Sequence, residues 1–171
     1  MNPLQRRKIS AVSALLCAVI GAEPAAAATQ VMQVNASVQK PLTLSWIQNL
    51  DLGQIVLGPG TWSGATVAIS KAGVFSCTNA NVTCSGTTQV ATYNVSGANQ
   101  QTVRITAPNV TLTNQNDPTQ TLTLVVDSPG SVLLTNSGKP GENFSLGGSI
   151  TLSSTTAGGT YTGTFNVTVD Y

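Results

Sequence analysis

The sequence predicts an all-β protein: an immunoglobulin-like antiparallel β-sandwich preceded by a signal peptide. Three observations carry that expectation. Beyond the first thirty or so residues, apolar and polar side chains alternate with a period of two at both ends of the chain, the mark of half-buried strands. Between those ends, short runs rich in Val, Ile and Thr are parted by Gly, Pro, Asn and Asp, the spacing of sandwiches and barrels. No segment after the leader repeats its apolar residues at the interval of a long amphipathic helix.

The leader comes first. Arg6, Arg7 and Lys8 precede an apolar run from Ile9 to Gly21, and small residues from Ala25 to Ala28 supply a cleavage site before Thr29. That order is the layout of a secretory signal peptide. The run falls short of the roughly 20 residues a helix needs to cross a bilayer, so no stable membrane span is expected after cleavage. Residues 1–28 are thus expected to be removed, Cys17 with them, and residues 29–171 to form a single β-sandwich domain in the periplasm, on the cell surface or outside the cell.

The first strand candidate follows at once. Met32, Val34, Ala36 and Val38 share one face, opposite Val31, Gln33, Asn35 and Ser37. Pro41 interrupts, and Leu42–Trp46 starts another strand. Further candidates are Thr66–Ser70, Gln89–Ser96, Thr102–Thr106, Thr121–Asp127, Ser131–Thr135 and Ser149–Ser153. The chain closes on the longest alternation, in which Tyr161, Gly163, Phe165, Val167, Val169 and Tyr171 line one face. A two-residue period sustained this long sets the register, because a slip of one residue would invert every side chain. We therefore expect one continuous core strand over 161–171.

Composition narrows the chemistry. Charged residues make up 8% of the chain, aromatics 5%, and histidine is absent. After cleavage, Lys40, Lys71, Arg104 and Lys139 stand against Asp51, Asp117, Asp127, Glu142 and Asp170, a nearly neutral balance. A basic footprint for nucleic acid is missing, so no nucleic-acid partner is expected. Without histidine the commonest general base is lost and the carboxylates are scattered; no catalytic residue, no metal site and no cofactor is expected, and the protein is not expected to be an enzyme. Cys77 and Cys84 closely flank a six-residue segment. In an oxidising compartment such a pair reads as a local disulfide, with about 2–3 kcal/mol of loop-closure stabilisation. Asn114-Gln115-Asn116-Asp117 offers oxygens to calcium but is expected to be a polar hairpin loop. Trp46 and Trp62 are expected in or beside the core, a sugar-binding face being the alternative.

Two functions fit these residues. In the first, a sandwich that lacks one strand exposes an apolar groove, and the alternating segment of a neighbour fills it by strand addition. Residues 29–38 suit that role, which makes the chain a structural or adhesive surface protein of fimbrial (pilus) type, with copies of itself or a periplasmic chaperone as partners. In the second, residues 29–38 pair within their own chain as its first strand. The protein is then a self-contained surface module whose loops bind a glycan, a host surface or a protein.

Several stretches carry a family resemblance. Pro41-Leu42-Thr43-Leu44, Asp51-Leu52-Gly53-Gln54-Ile55, Ala91-Thr92-Tyr93-Asn94-Val95-Ser96-Gly97, Gly147-Gly148-Ser149-Ile150-Thr151-Leu152 and the closing run from Gly159 to Tyr171 together resemble the bacterial secreted-protein family known as domain of unknown function 4402. The resemblance spans nearly the whole exported part and implies export and a cell-surface or extracellular life, with no defined activity. A more distant similarity is to archaic chaperone–usher pilins of the spore-coat-U type. They carry an Asp-Phe-Gly-like turn where this chain has Asp51-Leu52-Gly53, and an Ala-Gly-x-Tyr turn where it has Ala157-Gly158-Gly159-Thr160-Tyr161.

Overall fold

The computed structural model describes residues 27–164 and 166–171. The signal peptide expected over 1–28 therefore lies outside the described residues but for its last two, and so does Phe165 of the expected closing strand.

Among the described residues the fold is all β. Its strands in chain order are β1 (Thr43–Gln48), β2 (Gln54–Leu57), β3 (Ala65–Ile69), β4 (Phe75–Ser76), β5 (Val82–Ser85), β6 (Ala91–Ser96), β7 (Thr102–Thr106), β8 (Val110–Asn114), β9 (Thr121–Asp127), β10 (Ser131–Leu133), β11 (Glu142–Leu152), β12 (Tyr161–Thr162) and β13 (Thr168–Asp170). Every ladder is antiparallel. The main sheet runs β1-β6-β11-β9-β8-β12, with β3 also on β11 and β4 on β3; β10-β7-β13 and β2-β5 form two smaller sheets. Together the sheets curl into a half-barrel.

The strands form where alternation lets one face be buried. In β3, Ala65, Val67 and Ile69 are buried while Thr66 between them is exposed. In β7, Val103 and Ile105 point inward and Arg104 outward. The longest strand, β11, organises the interior. Its Ile150 and Leu152 belong to one buried cluster with Val67, Ile69, Val110 and Leu124. Its Phe144 and Leu146 belong to another with Val95, Val103, Ile105 and Leu134. Leu50 and Val126 pack against both.

Between those two halves sit Gly147 and Gly148, where β11 exchanges one neighbour for another. Through Leu146 it pairs with β6, and from Gly148 onward with β3. The end of β3 comes so near that a Cβ on Gly147 would overlap the backbone of Ile69 and Ser70. Close backbone approach is one of the uses of glycine inside a strand.

The closing segment departs from the sequence expectation. The single strand expected over 161–171 is instead two short ones: β12 lies on β8 and β13 on β7, in different sheets. The change of partner follows Gly163, whose Cα passes close over Val110, Thr111 and Leu112, leaving no room for a side chain. Alternation reports which residues are half-buried; it carries no record of which strand they lie beside. The other end differs as well. The first strand in the described residues begins at Thr43, so residues 29–38 form no strand in their own chain.

Candidate functional site

The residues that floor the candidate site come from three adjacent strands. Leu112 of β8 lies directly opposite Leu122 of β9, and Val110 opposite Leu124. Directly opposed residues share a face of the sheet, so these apolar side chains turn inward while the pairs Thr111–Thr123 and Thr113–Thr121 turn outward. Ile150 and Leu152 of β11 continue the floor. Above it opens a groove of about 910 Å³.

One wall is β2 and the turn before it. Ile55 and Leu57 alternate with the exposed Gln54 and Val56 and line the groove. Asp51 sets the approach to this wall. Its backbone exchanges hydrogen bonds with Gln89 at 2.8 and 2.9 Å, and its carboxylate accepts the Gly53 amide at 2.8 Å. Gly53 takes φ 74° there, a conformation open to glycine at little cost. The wall's main chain pairs with β5 on one side; the opposite edge of β2 has no ladder partner among the described residues.

The other wall is the segment from Thr156 to Thr164, held in place by polar side chains. Asn114, 1% exposed, donates from Nδ2 to the Gly158 carbonyl at 3.1 Å and accepts the Asn116 amide at 2.8 Å. The Gln115 amide donates to the Thr160 carbonyl at 2.8 Å. Tyr161 closes the turn by donating from its hydroxyl to the Ala157 carbonyl at 2.8 Å. The four-residue polar run expected as a hairpin loop therefore begins with a buried structural asparagine: Asn114 is the last residue of β8, and the turn follows it.

The groove thus combines an apolar floor with polar walls that carry Asn49, Gln54, Thr156, Thr160 and one carboxylate, Asp51, and with a strand edge unpaired among the described residues, features that an extended segment of alternating apolar and polar side chains can meet. The chain itself carries such a segment. Val31, Met32, Val34 and Val38 are 84–94% exposed, with Ala36 exposed between them.

Other sequence candidates fall as follows. Cys77 and Cys84 are joined in a disulfide with Cα atoms 6.3 Å apart, packed beside the first buried cluster. Of the closing residues, Val167 and Val169 pack against the second cluster, Tyr161 borders the groove and Tyr171 is partly exposed. Trp62 is half-buried and donates its indole N–H to the Gly58 carbonyl at 3.0 Å. Trp46 departs from its expected burial. It is 61% exposed, because β1 is the outermost strand of its sheet, and its indole N–H meets Asn49 Oδ1 at 3.1 Å. Among the described residues no helix is long and apolar enough to cross a membrane.

Sequence reading did not single out β2 or β8, which supply a wall and part of the floor. Both left a trace. Ile55 and Leu57 alternate between two glycines, Gly53 and Gly58, and Thr111-Leu112-Thr113 repeats the pattern of its partner Thr121-Leu122-Thr123.

The family model for Domain of unknown function (DUF4402) matches residues 42–171, which takes in every strand of the fold. No curated protein and no solved structure matches the chain. The match covers most of the sequence, and the chain belongs to the family described as Domain of unknown function (DUF4402).

Proposed function

We propose that this chain is an exported structural or adhesive surface protein, a fimbrial-type subunit that assembles by strand addition. On this reading the leader is removed after Ala28 and residues 29–171 act as one domain. The half-barrel is an immunoglobulin-like sandwich with one strand position open, which the arm of a second copy fills. A periplasmic chaperone would shield the groove until that exchange. The reading assigns no residue a catalytic role.

The observation that carries it is the presence, in one chain, of a groove with an apolar floor and a strand edge, and of an exposed alternating segment, both without a ladder partner among the described residues. Burying Met32, Val34 and Val38 would contribute about 1.5–3 kcal/mol each, and each new ladder bond about 0.5–1.5 kcal/mol. A single domain is stable by only about 5–15 kcal/mol, so a strand of that worth decides whether the fold closes within one chain or between chains.

The test is assembly. Protein beginning at Thr29 should form SDS-resistant ladders, and a synthetic Thr29–Val38 peptide should suppress them and bind a chain beginning at Lys40. A stable monomer at high concentration, indifferent to the peptide, would rule the reading out.

A second reading, a surface module that binds glycan through exposed groups, is favoured by Trp46. Its exposed indole on an edge strand, beside the Asn49 amide, offers the stacking face and polar partner that sugar recognition uses. Trp46→Ala should then abolish glycan binding with little change in melting temperature.

A further inference from the structure

We propose that the Cys77–Cys84 disulfide is a redox gate on the groove: oxidised, it fixes the β2 wall in its strand-accepting position, and reduced, it releases that wall. The proposal rests on the reading of the groove as a strand acceptor and adds how that site is controlled.

The topology makes the case. Among the described residues β2 hydrogen-bonds in a ladder with β5 alone, and the β2-β5 pair is a sheet separate from the main one. Its position therefore depends on the packing of Leu52, Ile55, Leu57 and Val82 in and against the first buried cluster, and on what ties β5 and the flanking chain to the rest. The nearby main-chain links lie beyond both strands: the isolated Asp51–Gln89 bridge, and the Ser154 amide donating to the Trp62 carbonyl at 3.0 Å. The main chain joins β4 to β5 through residues 77–81, and the disulfide closes that loop with a covalent cross-link. Cys77 directly follows β4, which pairs with β3 of the main sheet through Ala68–Ser76 and Ile69–Phe75. Cys84 lies within β5. The bond thus shortens the tether between the two-stranded wall and the main sheet.

It does so from the groove-lining face. Cys84 is directly opposite Ile55 and Val82 opposite Leu57, so the sulfur shares a face with the two wall residues that line the groove. Both cysteines pack on the same buried cluster as Ile55 and Leu57. With the bond cut, the wall keeps its four-residue ladder to β5, and β5 stays joined to β4 through residues 77–81 but loses the cross-link that closes that loop.

The chemistry balances as thiol–disulfide exchange. In forming, two thiols lose two protons and two electrons to a disulfide-bearing exchange partner, which leaves as a dithiol. In reduction, a dithiol such as dithiothreitol gives up the same electrons and protons and departs as its cyclic disulfide. A groove gated this way accepts a strand only after the chain has reached an oxidising compartment.

Amide hydrogen exchange on the protein beginning at Thr29 tests the gate, in oxidised form and after dithiothreitol, with thiol labelling to verify reduction. Reduction should accelerate exchange at the Gln54–Leu57 and Val82–Ser85 amides by about 50-fold, the factor that closing an eight-residue loop contributes in the chain-entropy model. Amides of β6 and β11 should keep their rates, and binding of the Thr29–Val38 peptide should weaken by at least about tenfold. The double variant C77S/C84S should behave like the reduced protein. Unchanged β2 amides in verified reduced protein would overturn the proposal. Equal acceleration throughout the chain would overturn it too, since the bond would then hold the fold as a whole. Failure of the peptide to bind even oxidised protein, with β2 still loosening on reduction, would sink the strand-acceptor reading and leave the staple on the wall standing.

Discussion

The hydroxyl of Tyr171 donates to the backbone carbonyl of Lys40 at 2.5 Å and accepts the Ala98 amide at 2.7 Å. One phenol thus ties the last residue of the sequence to the residue two before the first Leu of the β1 run. Space around it is tight, for Gly97 has no room for a Cβ between Tyr171, Leu42 and Leu134. Tyr171→Phe keeps the ring and removes both bonds. Water reaches the partly exposed site, so the loss should be modest, about 0.5–1.5 kcal/mol. Thermal melting should fall by about 2–8 °C. An unchanged melting curve would mean the hydroxyl adds nothing to stability.

The exposed arm separates folding from assembly. Met32 and Val34 are almost fully solvated, so Met32→Asp or Val34→Asp should leave the monomer's melting temperature within about 1 °C, as surface changes usually do. In the strand-addition reading both substitutions place a charge against the apolar floor of the groove, which costs several kcal/mol unless it is neutralised. Ladders should disappear. Gln33→Asp and Asn35→Asp lie on the opposite face of the alternation and should still assemble. Equal loss at all four positions would show that the alternation does not set which face is buried.

Periodicity made much of this fold legible. The expected strands Thr102–Thr106 and Thr121–Asp127 coincide with β7 and β9, because their β-branched residues alternate cleanly and turn residues bound them. The disulfide was legible from two closely spaced cysteines in a chain expected to be exported. The groove was not. It depends on β2 pairing with β5, and on the closing segment leaving β8 for β7 after Gly163; both are choices among partners that look alike in a chain so rich in Thr and Val. The half of β11 before Ser149 was missed for a related reason. Gly147 and Gly148 interrupt the alternation in sequence, whereas in the fold they let β11 pass from pairing with β6 to pairing with β3.

The two glycines should differ in what substitution costs. A Cβ on Gly147 would meet backbone atoms of Ile69, Ser70 and Lys71, while one on Gly148 would meet mainly the Leu124 side chain at 2.8 Å. A side chain can shift where paired backbone cannot. Gly148→Ala should cost about 1–3 kcal/mol, the range for overpacking. Gly147→Ala should exceed it and prevent folding or halve the stability, given totals of about 5–15 kcal/mol. Urea midpoints of the two variants decide the order, and a reversed ranking would refute the account of the β6-to-β3 handover.

Acid sensitivity should centre on Asp127. The Lys71 backbone amide donates to its Oδ2 at 2.8 Å and the Lys71 ammonium to its Oδ1 at 3.1 Å. These bonds hold its carboxyl below the usual carboxylate range, the amide first and the ammonium second. A group whose pKa is lower folded than unfolded favours the folded state above its unfolded value, near 4, and loses that contribution as pH falls through the folded value. The side chains of Lys71 and Asp127 are 47% and 38% exposed, so solvent screens the pair and the effect should be small, about 0.2–1 kcal/mol. Asp127→Asn keeps an acceptor for the amide but removes the titration. Between pH 6 and 3, wild-type stability measured by urea unfolding should therefore fall more steeply than that of the variant, with the gap opening below about pH 4. High salt should narrow the part of the gap that comes from the ammonium and spare the part that comes from the backbone amide, since a direct hydrogen bond is less screened than an exposed charge pair. Parallel curves for the two proteins over that pH range would mean the Lys71–Asp127 contact does not link the end of β9 to the turn after β3 in solution.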